Sequence, residues 1–276
     1  MHFTKYTGLG NDFIFLDGPA ALSVKDPAAL ARRWCNRRTG IGADGLVLLL
    51  PSQTADIRMR IINSDGSEAE MCGNASRCVP LHLRKRGLTQ KKQITLETLA
   101  GLIKTEVLDE QKGLVRVNMG VPRTLRGEIP MEGAPQSTAL NAVIKIGSAE
   151  HMGTGVSMGN PHFVMLVDDV ENAPVAEVGP LVETNPAFPQ KTNVEFAQVL
   201  NKNTVRMRVW ERGAGITHAC GTGACATAVA CMLNKLTGPR VTVILDGGEL
   251  VIEWPDGQEI FMTGHAQEVF EGEITL

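Results

Sequence analysis

Met71-Cys72-Gly73-Asn74-Ala75 is answered 148 residues later (220 − 72) by Ala219-Cys220-Gly221-Thr222-Gly223. In both stretches a Cys-Gly pair opens a segment that reads as a helix, with Gly87 the expected stop of the first and Gly238-Pro239 that of the second. Working outward, the match continues. Asn63 and Glu211 each close a β-branched run, nine positions before their cysteine (72 − 63 and 220 − 211). Gly10-Asn11-Asp12-Phe13 matches Gly159-Asn160-Pro161-His162-Phe163, and Asp44 matches Asn193, each pair 149 apart (160 − 11 and 193 − 44). Four matches in one order at a nearly constant offset argue for two copies of one unit. The matched segments are polar loops and strand ends, so the expected site lies in a cleft between two pseudo-symmetric domains.

The bulk of the chain agrees with two domains: 276 residues at ~100–200 per domain. A net charge of −3 and the lack of a basic stripe exclude nucleic acid as an expected partner. No stretch approaches the ~18 apolar residues of a membrane span, and Met1 to Tyr6 carries no signal-like apolar run, so a cytoplasmic location is expected. Fourteen short strands are expected, among them Gly45–Leu50, Ile57–Asn63, Ala142–Ile146, Asn193–Val199 and Val205–Trp210. Three helices stand out. Asp26-Pro27 caps the first. The second contains Pro80, which predicts a kink or a short first segment. The third is rich in Ala, Thr and Cys, small on most faces, and reads as enclosed by strands.

A cysteine at a helix start meets unpaired N–H groups and about half a positive charge. Two consequences follow. The thiol is expected below its free pKa of about 8.5. The same N–H groups can hold a carboxylate, with Gly73 and Gly221 allowing close approach. If both helix starts address one amino acid, one thiolate removes the α-proton and the opposite thiol returns one to the other face. The displaced charge flows onto carboxylate oxygens already held by N–H groups, which stabilises the transition state more than the ground state. The resting pair then holds one thiolate and one thiol.

These residues, with Gly40-Ile41-Gly42-Ala43-Asp44, Asn63-Ser64-Asp65-Gly66-Ser67, Thr192-Asn193-Val194-Glu195-Phe196 and Trp210-Glu211-Arg212-Gly213-Ala214-Gly215, resemble the diaminopimelate epimerase family within the proline-racemase-like superfamily, over nearly the whole chain. The resemblance implies an α+β fold of two pseudo-symmetric domains, residues 1–118 plus 266–276 and residues 119–265, each a mixed, curled sheet around a central helix. It implies inversion of LL-2,6-diaminopimelate to the meso form, in lysine and peptidoglycan precursor biosynthesis, with no pyridoxal phosphate, no other cofactor and no metal. It also implies roles. Cys72 and Cys220 match the catalytic pair. His162 and Glu211 match groups that engage the α-amino group and tune the thiols. Asn63, Asn160, Asn193 and Arg212 match groups that hold the distal end of the substrate. Gly73, Asn74, Gly221 and Thr222 match a backbone carboxylate cradle, and Asn11 a further substrate position. A homodimer is compatible with the sequence, which does not decide it.

Two positions depart from the family pattern. Gly45 stands where some relatives carry Gln. Ala75 stands where many carry Gly, which suits a helical backbone there better than one at positive φ. The remaining cysteines, Cys35, Cys78, Cys225 and Cys231, read as structural, and the Cys72–Cys78 and Cys220–Cys225 spacings fit no usual zinc pair. His82 and His151 read as surface residues. Three rival functions stay open at this level: a racemase of another amino acid such as histidine, a non-catalytic binding protein, and acyl transfer through one cysteine with His162 as base.

Overall fold

A computed structural model describes residues 1–274; the last two residues of the expected 266–276 segment lie outside them. The chain forms two compact units, one made of Met1–Asn118 with the segment from Thr263 onward, the other of Met119–Met262.

The two units repeat one topology. In the first, Gln267–Glu273 lies antiparallel to His2–Gly8, which is antiparallel to Asn11–Leu16. From there the sheet steps parallel to Gly45–Leu50, antiparallel to Ile57–Asn63, parallel to Gln93–Thr98 and antiparallel to Gly101–Asp109. In the second, Ala149–Ser157 is antiparallel to Pro161–Leu166, and the sheet steps parallel to Asn193–Asn201, antiparallel to Thr204–Glu211, parallel to Arg240–Leu245 and antiparallel to Gly248–Glu253. Each parallel step needs a crossover, and the helices supply most of each one. Helices α1 (Gly18–Leu22) and α2 (Pro27–Trp34) fill the first crossover of the first unit and α3 (Gly73–Lys85) its second; α4 (Val175–Glu183) and α5 (Gly221–Leu233) do the same in the second unit.

α2 starts where its sequence says it should. Asp26 accepts from Ala29 N–H at 2.9 Å with Pro27 in the first turn. α2 and α1 cover an apolar sheet face formed by Ile14, Leu16, Leu46, Leu48 and Ile62, with Trp34 at 0 % exposure among them. In the second unit Phe163, Met165, Val194 and Phe196 make the corresponding layer, beneath Val175 and Val182 of α4. α4 escapes a sequence reading because Gly179 and Pro180 interrupt it. Gly179 is there for close packing: a Cβ would lie 2.7 Å from the Trp210 side chain.

α3 and α5 are the central helices. Gly73 through Leu83 are all buried, as are nearly all residues from Gly221 to Cys231. The short first segment expected before Pro80 does not form: α3 continues through the proline to Lys85. Proline forfeits one backbone bond, a cost of about 3 kcal/mol, whereas burying one Val or Leu contributes ~1.5–3 kcal/mol, and Val79, Leu81 and Leu83 are all buried beside it. Gly87 ends α3 as expected. At φ +70° it donates to Arg84 O while Leu88 N–H reaches Leu83 O. The expected stop of α5 needs correction. The same pair of bonds forms three residues before Gly238, Lys235 N–H to Met232 O and Leu236 N–H to Cys231 O, with Lys235 at φ +59° in place of a glycine. His82 is a second correction. It is 1 % exposed, packs against Tyr6 and Phe15, and pairs through Nε2 with Asp17 at 2.8 Å.

Strand register also refines the internal match. Leu46 pairs with Ile62, and Val194 with Trp210. Asn193 therefore corresponds to Gly45, not to Asp44, and the offset between units falls from 149 to 148 within the crossover.

Candidate active site

Cys72 is the N-cap residue of α3, extended at φ −140°, with its carbonyl accepting from Ser76 N–H at 2.9 Å. Gly73 and Asn74 are the first helical residues, and Ala75 is helical too, which explains why an alanine is accepted there. The Asn74 side chain links the helix start to the first hairpin. Its amide donates to Asn11 Oδ1, and its Oδ1 accepts from Arg77 at 2.8 Å. Asn11 in turn donates to Asp44 at 3.0 Å. Asp44 and Asp12 are tied together by Arg37, and Lys5 pairs with Asp12 at 2.8 Å. Burial works to raise the Asp12 carboxyl, but the hydrogen bonds from Arg37 and Lys5 outweigh it and hold it at about 2. Asn63 stands apart from this network, exposed at the end of its strand and donating to Ser67 Oγ at 2.9 Å.

Cys220 takes the same place on α5, with extended backbone at φ −122°. It is 5 % exposed, and its Sγ accepts from Gly223 N–H at 3.4 Å and lies 3.6 Å from Thr222 Oγ1. Around it stand the other sequence-identified residues of the second unit. His162 Nδ1 is 2.7 Å from Glu195 Oε1, and its Nε2 is 3.1 Å from Asn160 Oδ1. Asn160 reaches Thr222 Oγ1 at 3.4 Å. Glu211 accepts from Thr217 Oγ1 and stands near the Cys220 thiol. Asn193 bridges two loops, donating to Pro161 O at 2.8 Å and accepting from Arg212 N–H at 3.0 Å. The Arg212 guanidinium is exposed and donates to Gln190 O at 3.0 Å.

The electrostatics of Cys220 reverse a sequence expectation. Its thiol is not lowered but pushed well up, first by burial, then by the carboxyl groups of Glu211 and Glu195. The contacts from Thr222 and the Gly223 N–H act the other way and lose. A helix N-terminus offers about half a charge, whereas full burial beside two carboxyl groups withdraws much more. Glu211 and Glu195 are themselves raised, each chiefly by burial.

Glu195 was not singled out among the candidate residues. The available signal was a lone carboxylate in the otherwise uncharged strand segment Asn193-Val194-Glu195-Phe196-Ala197, every residue of which is buried. Among the described residues no group of three or more His, Cys, Asp and Glu side chains is arranged to hold a metal ion.

The family model for diaminopimelate epimerase matches residues 3–125 and 154–269. The diaminopimelate epimerase of Pelotomaculum thermopropionicum is 56 % identical over 276 residues, covering 99 % of this chain and 98 % of that one. That of Desulforudis audaxviator is 56 % identical over 274 residues, with the same coverage. Among solved structures, the Bacillus anthracis phenazine biosynthesis protein of the PhzF family superposes with a TM-score of 0.73 at 17 % identity, covering 100 % of this chain and 99 % of that one. A hydroxyproline epimerase from Agrobacterium vitis gives 0.68 at 18 % identity, covering 99 % and 90 %. The structural likenesses carry the fold alone, two α+β repeats each with a mixed sheet and a central helix. The family model and the sequence matches establish that this chain belongs to the diaminopimelate epimerase family.

Proposed function

We propose that the chain interconverts LL- and meso-2,6-diaminopimelate, on the route to lysine and peptidoglycan precursors, by moving one α-proton between Cys72 and Cys220 without pyridoxal phosphate. The observation that carries the mechanism is that each repeat sets a cysteine at the N-cap of its central helix. Membership of the family supplies the substrate.

Inversion at one carbon needs a base and an acid on its two faces. Cys220, held protonated by burial and its carboxyl neighbours, opens the reaction as the acid, and Cys72 as the thiolate base. Cys72 takes the α-proton, and the electron pair moves into the carboxylate. The Cys220 S–H then protonates the opposite face, leaving Cys220 as thiolate and Cys72 as thiol. Helix geometry leaves the first N–H groups of each helix without intrahelical acceptors. In α5 the Cys220 sulfur takes the Gly223 N–H, so the Gly221 and Thr222 N–H groups are the ones for the substrate carboxylate. Gly73 and Asn74 serve likewise in α3. One such donor is worth roughly 2.7–4 kcal/mol at a developing oxyanion. In reverse the Cys220 thiolate takes the α-proton of the meso form and the Cys72 S–H protonates the opposite face, with Glu211 beside the Cys220 sulfur tuning its proton affinity.

Asn11, Asn63, Asn160, Asn193 and Arg212 bind the rest of the substrate in this reading. A racemase of a single-centre amino acid such as histidine is not favoured, because the 56 % identical relatives are diaminopimelate epimerases. Nucleic acid and membrane have no part in the proposal: the net charge is −3, and no helix among the described residues is long and apolar enough to cross a membrane. A homodimer is compatible with it.

The test is turnover of LL-diaminopimelate in heavy water. The meso product carries one α-deuterium, and neither Cys72→Ala nor Cys220→Ala forms it at a measurable rate. Meso product formed at the wild-type rate after loss of either cysteine would refute the two-thiol mechanism, and turnover of single-centre amino acids alone would refute the substrate.

A further inference from the structure

Register equates Glu195 with Val47, and His162 with Phe13, because Phe13 pairs with Gly45 and His162 with Asn193 in the same parallel step. Position three of each central helix matches as well: Ala75 in α3 and Gly223 in α5. The first unit thus fills this place with Phe13 and Val47, 4 % and 0 % exposed. The second unit puts an imidazole and a carboxyl group there, both 0 % exposed. Burying a carboxyl group without full hydrogen bonding is unfavourable, and Glu195 Oε2 has no hydrogen-bond partner among the described residues. α5 gives up a side chain to admit it: a Cβ on Gly223 would sit 2.8 Å from Glu195 Oε1. The repeat therefore does not need the pair for its fold, and the second unit carries it at a cost.

The geometry points to Glu195 as a positioning residue of the reaction: its Oε1 takes the Nδ1–H of His162 at 2.7 Å, fixing ring and tautomer, so that Nε2 faces Asn160 and the Cys220 helix start. Outer partners of this kind hold a functional histidine in one orientation, and their loss commonly costs 10–100-fold in affinity or activity where metal-bound histidines have been studied. The inference rests on the epimerase reading for the role of His162, and on geometry alone for the role of Glu195. Glu195 also stands close to the Cys220 thiol, since the two flank the same point beside Gly223.

Imidazole-labelled protein gives a readout that does not depend on activity. In the wild type, nitrogen-15 and proton spectra should show a low-field Nδ1–H resonance, which His162→Phe and Glu195→Val both remove. A bare Nδ1, or a resonance that persists in Glu195→Val, overturns the assignment, whether or not any variant is active. In kinetics, Glu195→Gln and Glu195→Val should each lower kcat by about 10–100-fold with KM little changed; wild-type kcat in a folded Glu195→Val overturns the positioning role. The double variant His162→Phe/Glu195→Val copies the first unit's apolar pair and should fold like the wild type by circular dichroism. Failure of that variant to fold would mean the pair is structural and would overturn the inference. A wild type that carries the low-field resonance but yields no deuterated meso product would instead sink the epimerase reading and leave the pair standing.

Discussion

The carboxyl group of Glu211 stands close enough to the thiol of Cys220, nine residues further along the chain, to disfavour its thiolate. Burial first, then the carboxyl groups of Glu211 and Glu195, keep the sulfur protonated in the substrate-free protein, against the contacts from Thr222 and the Gly223 N–H.

Alkylation reports this directly, since only the thiolate reacts. Cys220 should react slowly with iodoacetamide near neutrality and faster as pH rises. Glu211→Gln removes a neighbour that disfavours the thiolate, so the Cys220 pKa falls and its labelling at a given pH quickens. Site-resolved mass spectrometry of labelling against pH checks both, and an unchanged or slower Cys220 rate in Glu211→Gln contradicts the account.

Gly223→Ala should impair catalysis more than stability. Alanine is the better helix former by about 0.8–1 kcal/mol, but the new methyl would lie 2.8 Å from Glu195 Oε1 and 3.2 Å from Cys220 Sγ. A drop in kcat of at least about tenfold is expected, the size seen when a catalytic group is displaced by an ångström or less. Denaturant unfolding should move little. Full activity in Gly223→Ala would show that the room beside the sulfur is dispensable.

Asp12 contributes acid-sensitive stability. Its carboxyl sits at about 2 in the folded protein against 3.8 ordinarily. A lowered pKa means the contribution is complete above the unfolded value and is lost as pH falls through about 2. After discounting for partial exposure, Asp12→Asn should cost about 1–2 kcal/mol at pH 7. Urea unfolding of both proteins should show that difference shrinking between about pH 4 and pH 2. A gap that stays constant across this range would assign the cost to packing.

Lys235 offers a stabilising change far from any thiol. It holds a left-handed backbone, φ +59°, at the end of α5. That conformation costs an L-residue roughly 1–2 kcal/mol, and glycine little. Lys235→Gly should raise unfolding stability by about 0.5–1 kcal/mol, less than the full strain because glycine loses more chain entropy on folding. Equilibrium denaturation, with turnover as a control, decides it; a loss of stability would mean that the lysine stem contributes more than the strain costs.

The order and spacing of residues were enough to reveal the duplication, both cysteines at helix starts, the enclosed third helix and the family itself, because these follow from local rules: a glycine, a cap, a periodic run and a repeated offset. Other features depend on neighbours distant in the chain. Pro80 stays helical because the fold buries the helix around it from Gly73 to Leu83. His82 is interior because Asp17, Tyr6 and Phe15 meet it there. Asn193 corresponds to Gly45 only once strand register is known. The ionisation of Cys220 belongs to tertiary structure in the same way: a helix start is written in the residues beside it, whereas burial and the approach of Glu195 and Glu211 arise only when separate strands close around the sulfur.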